Sequence, residues 1–145
     1  MIEPVVKEVR VPASPEVAFR RFTEGVGGWW PKATHSVSKE KCRAVFWPGP
    51  AGSDLYEVDE DGNRHVWGTF SVWEPPSRLA LTWHPGRGSE TAQTIEITFE
   101  PRGEETLVTL RHGGFEALGD TAQAARDDYD QGWSKVLAMY RSALP

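Results

Sequence analysis

Between residues 43 and 112 the chain carries six strand-like segments in succession, and a single long stripe at helical spacing follows them. The segments Arg43–Trp47, Asp54–Asp59, Arg64–Trp73, Leu79–His84, Thr94–Pro101 and Thr106–His112 are rich in Val, Ile, Thr, Phe and Trp. Turn residues separate them, among them Asp61-Gly62-Asn63, Pro75-Pro76 and Gly103-Glu104-Glu105. Connections this short allow only antiparallel neighbours, because a parallel pair needs a crossover of a dozen residues or more. After them Ala122, Ala125, Tyr129, Trp133, Val136, Leu137, Tyr140 and Leu144 recur at steps of three and four, with Arg126, Asp127, Asp128, Asp130 and Lys135 off the stripe. The pattern predicts a helix from about Thr121 to Ala143, capped by Asp120 or Thr121.

The first forty residues add one more strand and two short helices. Val5, Lys7, Val9 and Val11 alternate with Val6, Glu8 and Arg10. Ser14-Pro15-Glu16 supplies an N-cap, a proline at the first helical position and an early acid, and the helix it starts has Ala18, Phe19 and Phe22 on its apolar face. Gly25, Gly27 and Gly28 stop it, and Val26–Trp30 makes a second short element before Pro31. The expected fold is α+β: a curved seven-stranded antiparallel sheet wrapped round a long C-terminal helix, with two short helices after the first strand. The inner face of the sheet holds Ile95, Ile97 and Phe99 on one strand and Val108, Leu110 and His112 on the next. With 145 residues, one domain spanning 1–145 is the expectation.

Composition excludes several function classes. A net charge of −5 gives phosphates and anionic lipids no attraction, so neither nucleic acid nor a membrane is an expected partner. The single cysteine, Cys42, forbids an intramolecular disulfide and fits a reducing cytoplasm, where it reads as a buried thiol or an ordinary strand residue. The N-terminal MIEPVVKEVRV has charges and no apolar core, so no signal peptide is expected. Cys42, His35, His65, His84 and His112 show no paired ligand spacing, and neither a metal nor another cofactor is expected. His35, His65 and His84 read as surface residues, and Glu57, Asp59, Glu60 and Asp61 as a solvated turn.

Seven tryptophans remain to be placed: Trp29, Trp30, Trp47, Trp67, Trp73, Trp83 and Trp133. Trp83 ends a central strand, Tyr129 and Trp133 face inward on the long helix, and Phe115 follows the last strand. With Trp30 and Phe99 they either wall an apolar pocket between helix and sheet or fill the core. His112 is its polar element, able to orient a ligand or to act as an acid or base, or else a hydrogen-bonded structural histidine. Trp29-Trp30-Pro31 is either a lid on the cavity mouth or a plug on the sheet, with one tryptophan exposed and the other buried. Gly132 lies inside the helix, where it costs about 1 kcal/mol relative to alanine, so either helix and sheet approach closely there or the glycine is tolerated.

Several stretches carry a family likeness. Gly68-Thr69-Phe70-Ser71-Val72-Trp73-Glu74-Pro75-Pro76-Ser77-Arg78-Leu79, running on to Leu81-Thr82-Trp83, resembles a "G-x-φ-x-x-φ-x-P-P-x-R-L-x-φ-T-W" segment. Thr94–Pro101, Thr106–Phe115 with its His112-Gly113-Gly114-Phe115, Gln131-Gly132-Trp133 and the early Trp29-Trp30-Pro31 fit the same family in the same order. The chain thus resembles the activator of heat-shock-protein-90 ATPase homologue family, within the START/polyketide-cyclase superfamily. That resemblance implies the helix-grip fold of the birch pollen allergen. It implies three functions: binding of a small hydrophobic or amphipathic molecule, a chaperone-associated stress role, or a cyclase- or hydrolase-like enzyme using His112 with Tyr129. Ligand binding ranks first on the aromatic excess and that fold; the eukaryotic activators carry a separate N-terminal domain that this sequence does not show, and with no recognisable nucleophile–base–acid set the enzyme ranks third. Monomer and homodimer are both open.

Overall fold

The computed structural model describes residues 2–144; Met1 and Pro145, the two ends of the expected domain, lie outside them. Strand β1 (Val5–Val11) leads to helix α1 (Pro15–Thr23) and a single 3-10 turn, Val26–Gly28. Six strands follow: β2 (Cys42–Phe46), β3 (Asp54–Asp59), β4 (Arg64–Glu74), β5 (Arg78–Trp83), β6 (Gln93–Arg102) and β7 (Glu105–Gly113). A 3-10 stretch, Phe115–Thr121, then enters helix α2 (Ala122–Ser142). The seven strands form one antiparallel sheet in the order β1-β7-β6-β5-β4-β3-β2. Curled round α2, this is the helix-grip architecture.

The local chemistry explains the elements. Ser14 Oγ accepts the Val17 amide 3.3 Å away and Pro15 opens α1, an N-cap followed by a residue with no amide hydrogen to leave orphaned. Helix α2 starts differently from the expectation: Thr121 makes no cap bond and turns its hydroxyl back to the Leu118 carbonyl. The 3-10 stretch satisfies that end instead, since its tighter turns supply the bonds a cap would make. Val5, Val11, Ile95, Ile97, Phe99, Val108 and Leu110 are fully buried on the inner face, and Trp133, Val136, Leu137 and Tyr140 meet them from α2. Tyr140 donates to the Ala18 carbonyl at 2.7 Å and so ties α2 to α1.

Three side chains of α2 also hold the edge strand or the segment leading into it. Arg141 donates to the Arg10 carbonyl at 2.9 Å, Arg126 to the Glu3 carbonyl at 3.3 Å, and Asp130 pairs with Lys7 at 3.0 Å. Among the described residues no helix is long and apolar enough to cross a membrane.

Strand β4 is bulged. Leu55 pairs with Gly68 and Tyr56 with Val66, so Trp67 is an extra residue opposite β3. The bulge lets Trp67 and Phe70, which strict alternation would put on opposite faces, both turn inward; each is buried. Gly68 makes this possible, because a Cβ there would lie 1.8 Å from the Thr82 carbonyl oxygen of β5.

Candidate functional site

A cavity of about 350 Å³ lies between α2, the sheet and the loop after α1. Trp30, Trp67, Trp83 and Trp133 wall it with Val136, while Tyr129 and Gly132 form its α2 side. Thr34, His35, Ser36, Val37 and Lys39 border it from the loop, and Pro85 and Gly86 from the turn after β5. A second, more polar hollow of about 510 Å³ shares Thr34, His35, Lys39, Pro85, Tyr129 and Gly132, and adds His84, Arg87, Gln93 and Asp128. The two form an aromatic chamber with a charged vestibule, and Tyr129 stands at the junction.

The chamber is built by rings meeting edge to face or at a tilt. Trp83 lies 5.4 Å from Trp133 and 5.5 Å from Trp67, and Trp30 lies 5.2 Å from Trp67 and 6.0 Å from Trp133. Such pairs add about 0.5–1.5 kcal/mol each beyond their burial, so the walls stay in place without a ligand. The indole of Trp83 donates to the Tyr129 hydroxyl at 3.1 Å. Burial raises the Tyr129 phenol above its ordinary value, so it remains protonated at neutral pH.

Of the seven residues expected at the site, Trp30, Trp83, Tyr129 and Trp133 line the chamber and three do not. Phe99 is covered by α1, its ring 5.1 Å from Phe19 and 6.0 Å from Phe22. Phe115 stacks on His112 at 4.5 Å behind the wall. His112 is fully buried with both ring nitrogens engaged. The Trp133 indole can only donate, so His112 Nδ1 accepts it at 2.9 Å, and the ring proton on Nε2 is then given to Gln93 Oε1 at 3.1 Å. Burial takes its pKa down to about 3. A neutral ring with no free lone pair positions Trp133 and is no acid or base toward the chamber.

Other expectations also change. Trp29 and Trp30 are both buried, at 4% and 5% exposure, because each indole finds a backbone carbonyl inside, of Arg21 and His35 respectively. The loop therefore closes the chamber as a plug with Trp30 in the wall. Glu57 is no turn acid but wholly buried. It accepts the Val37 amide at 2.6 Å, the Ser38 amide at 2.9 Å, the Ser38 hydroxyl and the Trp67 indole at 2.7 Å. Burial alone would push its pKa up; the Ser38 hydroxyl, the two amides and the indole outweigh that and hold it below the ordinary carboxylate value. One carboxylate thus clasps both the closing loop and a chamber wall. Cys42 is buried and free, and burial pushes its thiol up.

Sequence reasoning missed Trp67, Glu57, His35 and Lys39. For Glu57 the signal was present: it shares a face with Leu55, which points inward. His35 is half-buried and borders both hollows. Its Nδ1 lies 2.7 Å from the Thr34 hydroxyl, and burial, Lys135 and Lys39 lower its pKa. His65, by contrast, pairs with Asp59 at 2.9 Å on the far side of the turn. Gly132 is not crowded: a Cβ there would meet only His35, at 3.9 Å. Among the described residues no group of three or more His, Cys, Asp and Glu side chains is placed to hold a metal ion.

The family model described as Activator of Hsp90 ATPase homolog 1-like protein matches residues 12–144. Among solved structures, an anthrahydroquino-γ-pyrone synthase, Txn09, is 34% identical, with 89% of this chain and 88% of that one covered and a TM-score of 0.62. The Aha1 dimer from Colwellia psychrerythraea is 16% identical over 99% and 96% of the two chains, with a TM-score of 0.71. Protein CV1439 from Chromobacterium violaceum is likewise 16% identical over 99% and 98%, also with a TM-score of 0.71. No curated protein matches the sequence.

Proposed function

From the premise that the chain belongs to the Activator of Hsp90 ATPase homolog 1-like family, we propose that it binds a flat, largely aromatic small molecule in the chamber, with the ligand's polar edge in the vestibule. The observation that carries this reading is the chamber itself, about 350 Å³ walled by four tryptophans and opening onto a polar hollow. A flat ring system takes up the ring faces that the walls present, and the few polar groups fix its direction. The 34% identity to a synthase whose name denotes a polycyclic aromatic product supports a ligand of that shape. The chaperone-associated reading has the family's description alone behind it.

Gly132 provides the test. It lines the chamber, is not crowded and sits in mid-helix, so Gly132→Ala should stabilise the protein by up to about 1 kcal/mol through helix propensity. Gly132→Leu fills the chamber from the helix side without removing any wall. Titrating 1,8-dihydroxyanthraquinone and following tryptophan quenching should give a Kd on the order of 10 µM for the native chain. Gly132→Leu should raise it at least about tenfold, the equivalent of about 1.4 kcal/mol, with the melting temperature preserved. Equal affinity in both proteins, or no quenching of the native one, would make the tryptophans core filling.

A further inference from the structure

We propose that the ligand is an acid: a flat aromatic monocarboxylate whose rings occupy the chamber and whose carboxylate sits in the vestibule between Arg87 and Lys39. This rests on the aromatic-ligand reading above and names the chemical class that the same site selects.

The chain as a whole repels such a ligand, since its net charge is −5. The vestibule reverses that sign locally. Lys39 and Arg87 line it, and Asp128 is the one acid in its lining. Burial lowers the His35 pKa, and the charges of Lys135 and Lys39 lower it further, which places a third cation, from α2, within reach of the same wall. Among the described residues Lys39, Arg87 and Lys135 form no ion pair, whereas Asp127 and Asp130 on α2 are held by Arg126 and Lys7. Three positive charges against one negative leave a concave site with a net positive field. It lies at the mouth of an aromatic chamber, where a charge pair is stronger than in open water.

The backbone presents both cations. Arg87 belongs to a turn closed twice: its amide donates to the His84 carbonyl at 3.0 Å, and its own carbonyl accepts from His84 Nδ1 at 3.1 Å. Its charge bears on Tyr129: burial raises that phenol, while the Trp83 indole and Arg87 both pull the other way. Lys39 is the one non-glycine residue with a positive φ among those described, at 52°. A left-handed backbone is unfavourable for a lysine, so the loop must hold it there. The hold is next door, where Glu57 accepts both the amide and the hydroxyl of Ser38.

Tyr129 adds a neutral donor at the point where chamber and vestibule meet. An indole can only donate, so the Tyr129 oxygen accepts from Trp83 at 3.1 Å and its own O–H remains for a ligand. Gln93, also in the vestibule wall, is engaged at both ends, by the Thr91 carbonyl and by His112.

The charge set also says which anion fits. The planar fork of a guanidinium matches the two oxygens of a carboxylate. Asp128 opposes a second negative charge, so a monocarboxylate is favoured over a dianion such as a phosphate monoester.

The probes are anthraquinone-2-carboxylate and its neutral carboxamide, which share one ring system, and the readout is tryptophan quenching at neutral pH and low salt. The native chain should bind the acid about tenfold more tightly than the amide. That preference should shrink to about threefold in Arg87→Gln and in Lys39→Asn, and disappear in the double variant. Asparagine tolerates the left-handed backbone at position 39, so the charge is removed without disturbing the loop. Asp128→Asn should instead widen the preference about twofold, a gain that damage to the fold cannot imitate. Three results overturn the inference and leave the aromatic chamber standing: affinity for the acid no higher than for the amide, a preference that survives in the double variant, or one that fails to widen in Asp128→Asn. Quenching by neither ligand overturns both readings.

Discussion

Glu57→Gln will lower the melting temperature by about 10 °C near neutral pH, an effect of about 3 kcal/mol. The two oxygens of the buried carboxylate accept from two donors each: Val37 and Trp67 on one, the Ser38 amide and hydroxyl on the other. Whichever way an amide is turned, its NH2 faces donors, and only the Ser38 hydroxyl can rotate to accept. At least one buried N–H is left without a partner, at a cost of about 1–3 kcal/mol each, and the charge that strengthened the other bonds is gone. The pH dependence identifies the cause. The folded carboxyl titrates below its ordinary value of 4.5, so its contribution is complete above that value and is lost as pH falls through the folded one. The gap between native and Glu57→Gln melting temperatures should therefore be constant above about pH 5 and narrow below. A gap that is small at pH 7, or independent of pH down to 3, would show that the clasp carries little. Ligand release should also quicken in the variant, because the loop that closes the chamber is the loop Glu57 holds.

Gly68→Ala will be more damaging still, although it adds one methyl group. The methyl carbon would stand 1.8 Å from the Thr82 carbonyl oxygen and 2.7 Å from its carbon. Both are backbone atoms of a paired neighbouring strand, so no side-chain rotation relieves the overlap. Strands β4 and β5 must separate, which disturbs the 2.6 Å bond from the His84 amide to the Trp67 carbonyl and the chamber walls on either side of it. A loss of about 3 kcal/mol or more is expected, read as a melting shift of about 10 °C or as failure to recover soluble protein. Gly28→Ala is the matched control, with nothing within 4 Å of its added carbon, and should change stability by less than about 0.5 kcal/mol. Similar stability in the two variants would refute the close approach.

Those two residues also mark where the sequence stops being readable. Period-two and period-3.6 patterns placed the strands, the burial of Ala18, Phe19 and Phe22 on α1, and the inward stripe of α2, because burial selects for those periods. Trp67 escaped because the bulge before Gly68 breaks the alternation that assigns faces, and a bulge leaves no local periodic trace. Phe99 was placed on the correct face of β6, yet alternation does not say which part of that face α1 covers and which part stays open. His112 was correctly turned inward; the engagement of both its ring nitrogens depends on Gln93 and Trp133, which are distant in sequence and adjacent only after folding. His35 lies in a loop, where no periodicity exists to be read.

The bonds that α2 sends to the β1 end of the sheet govern how this protein would aggregate through that edge. An edge strand with free carbonyls is a template for a strand from another copy, and here Arg141 already occupies the Arg10 carbonyl while Arg126 occupies the Glu3 carbonyl just ahead of the strand. Exposure of the apolar inner face and release of this edge are therefore one event, departure of α2. Fluctuations that leave the helix docked offer a passing chain neither of them. Conditions that detach it offer both at once, so self-association through β1 should track helix loss.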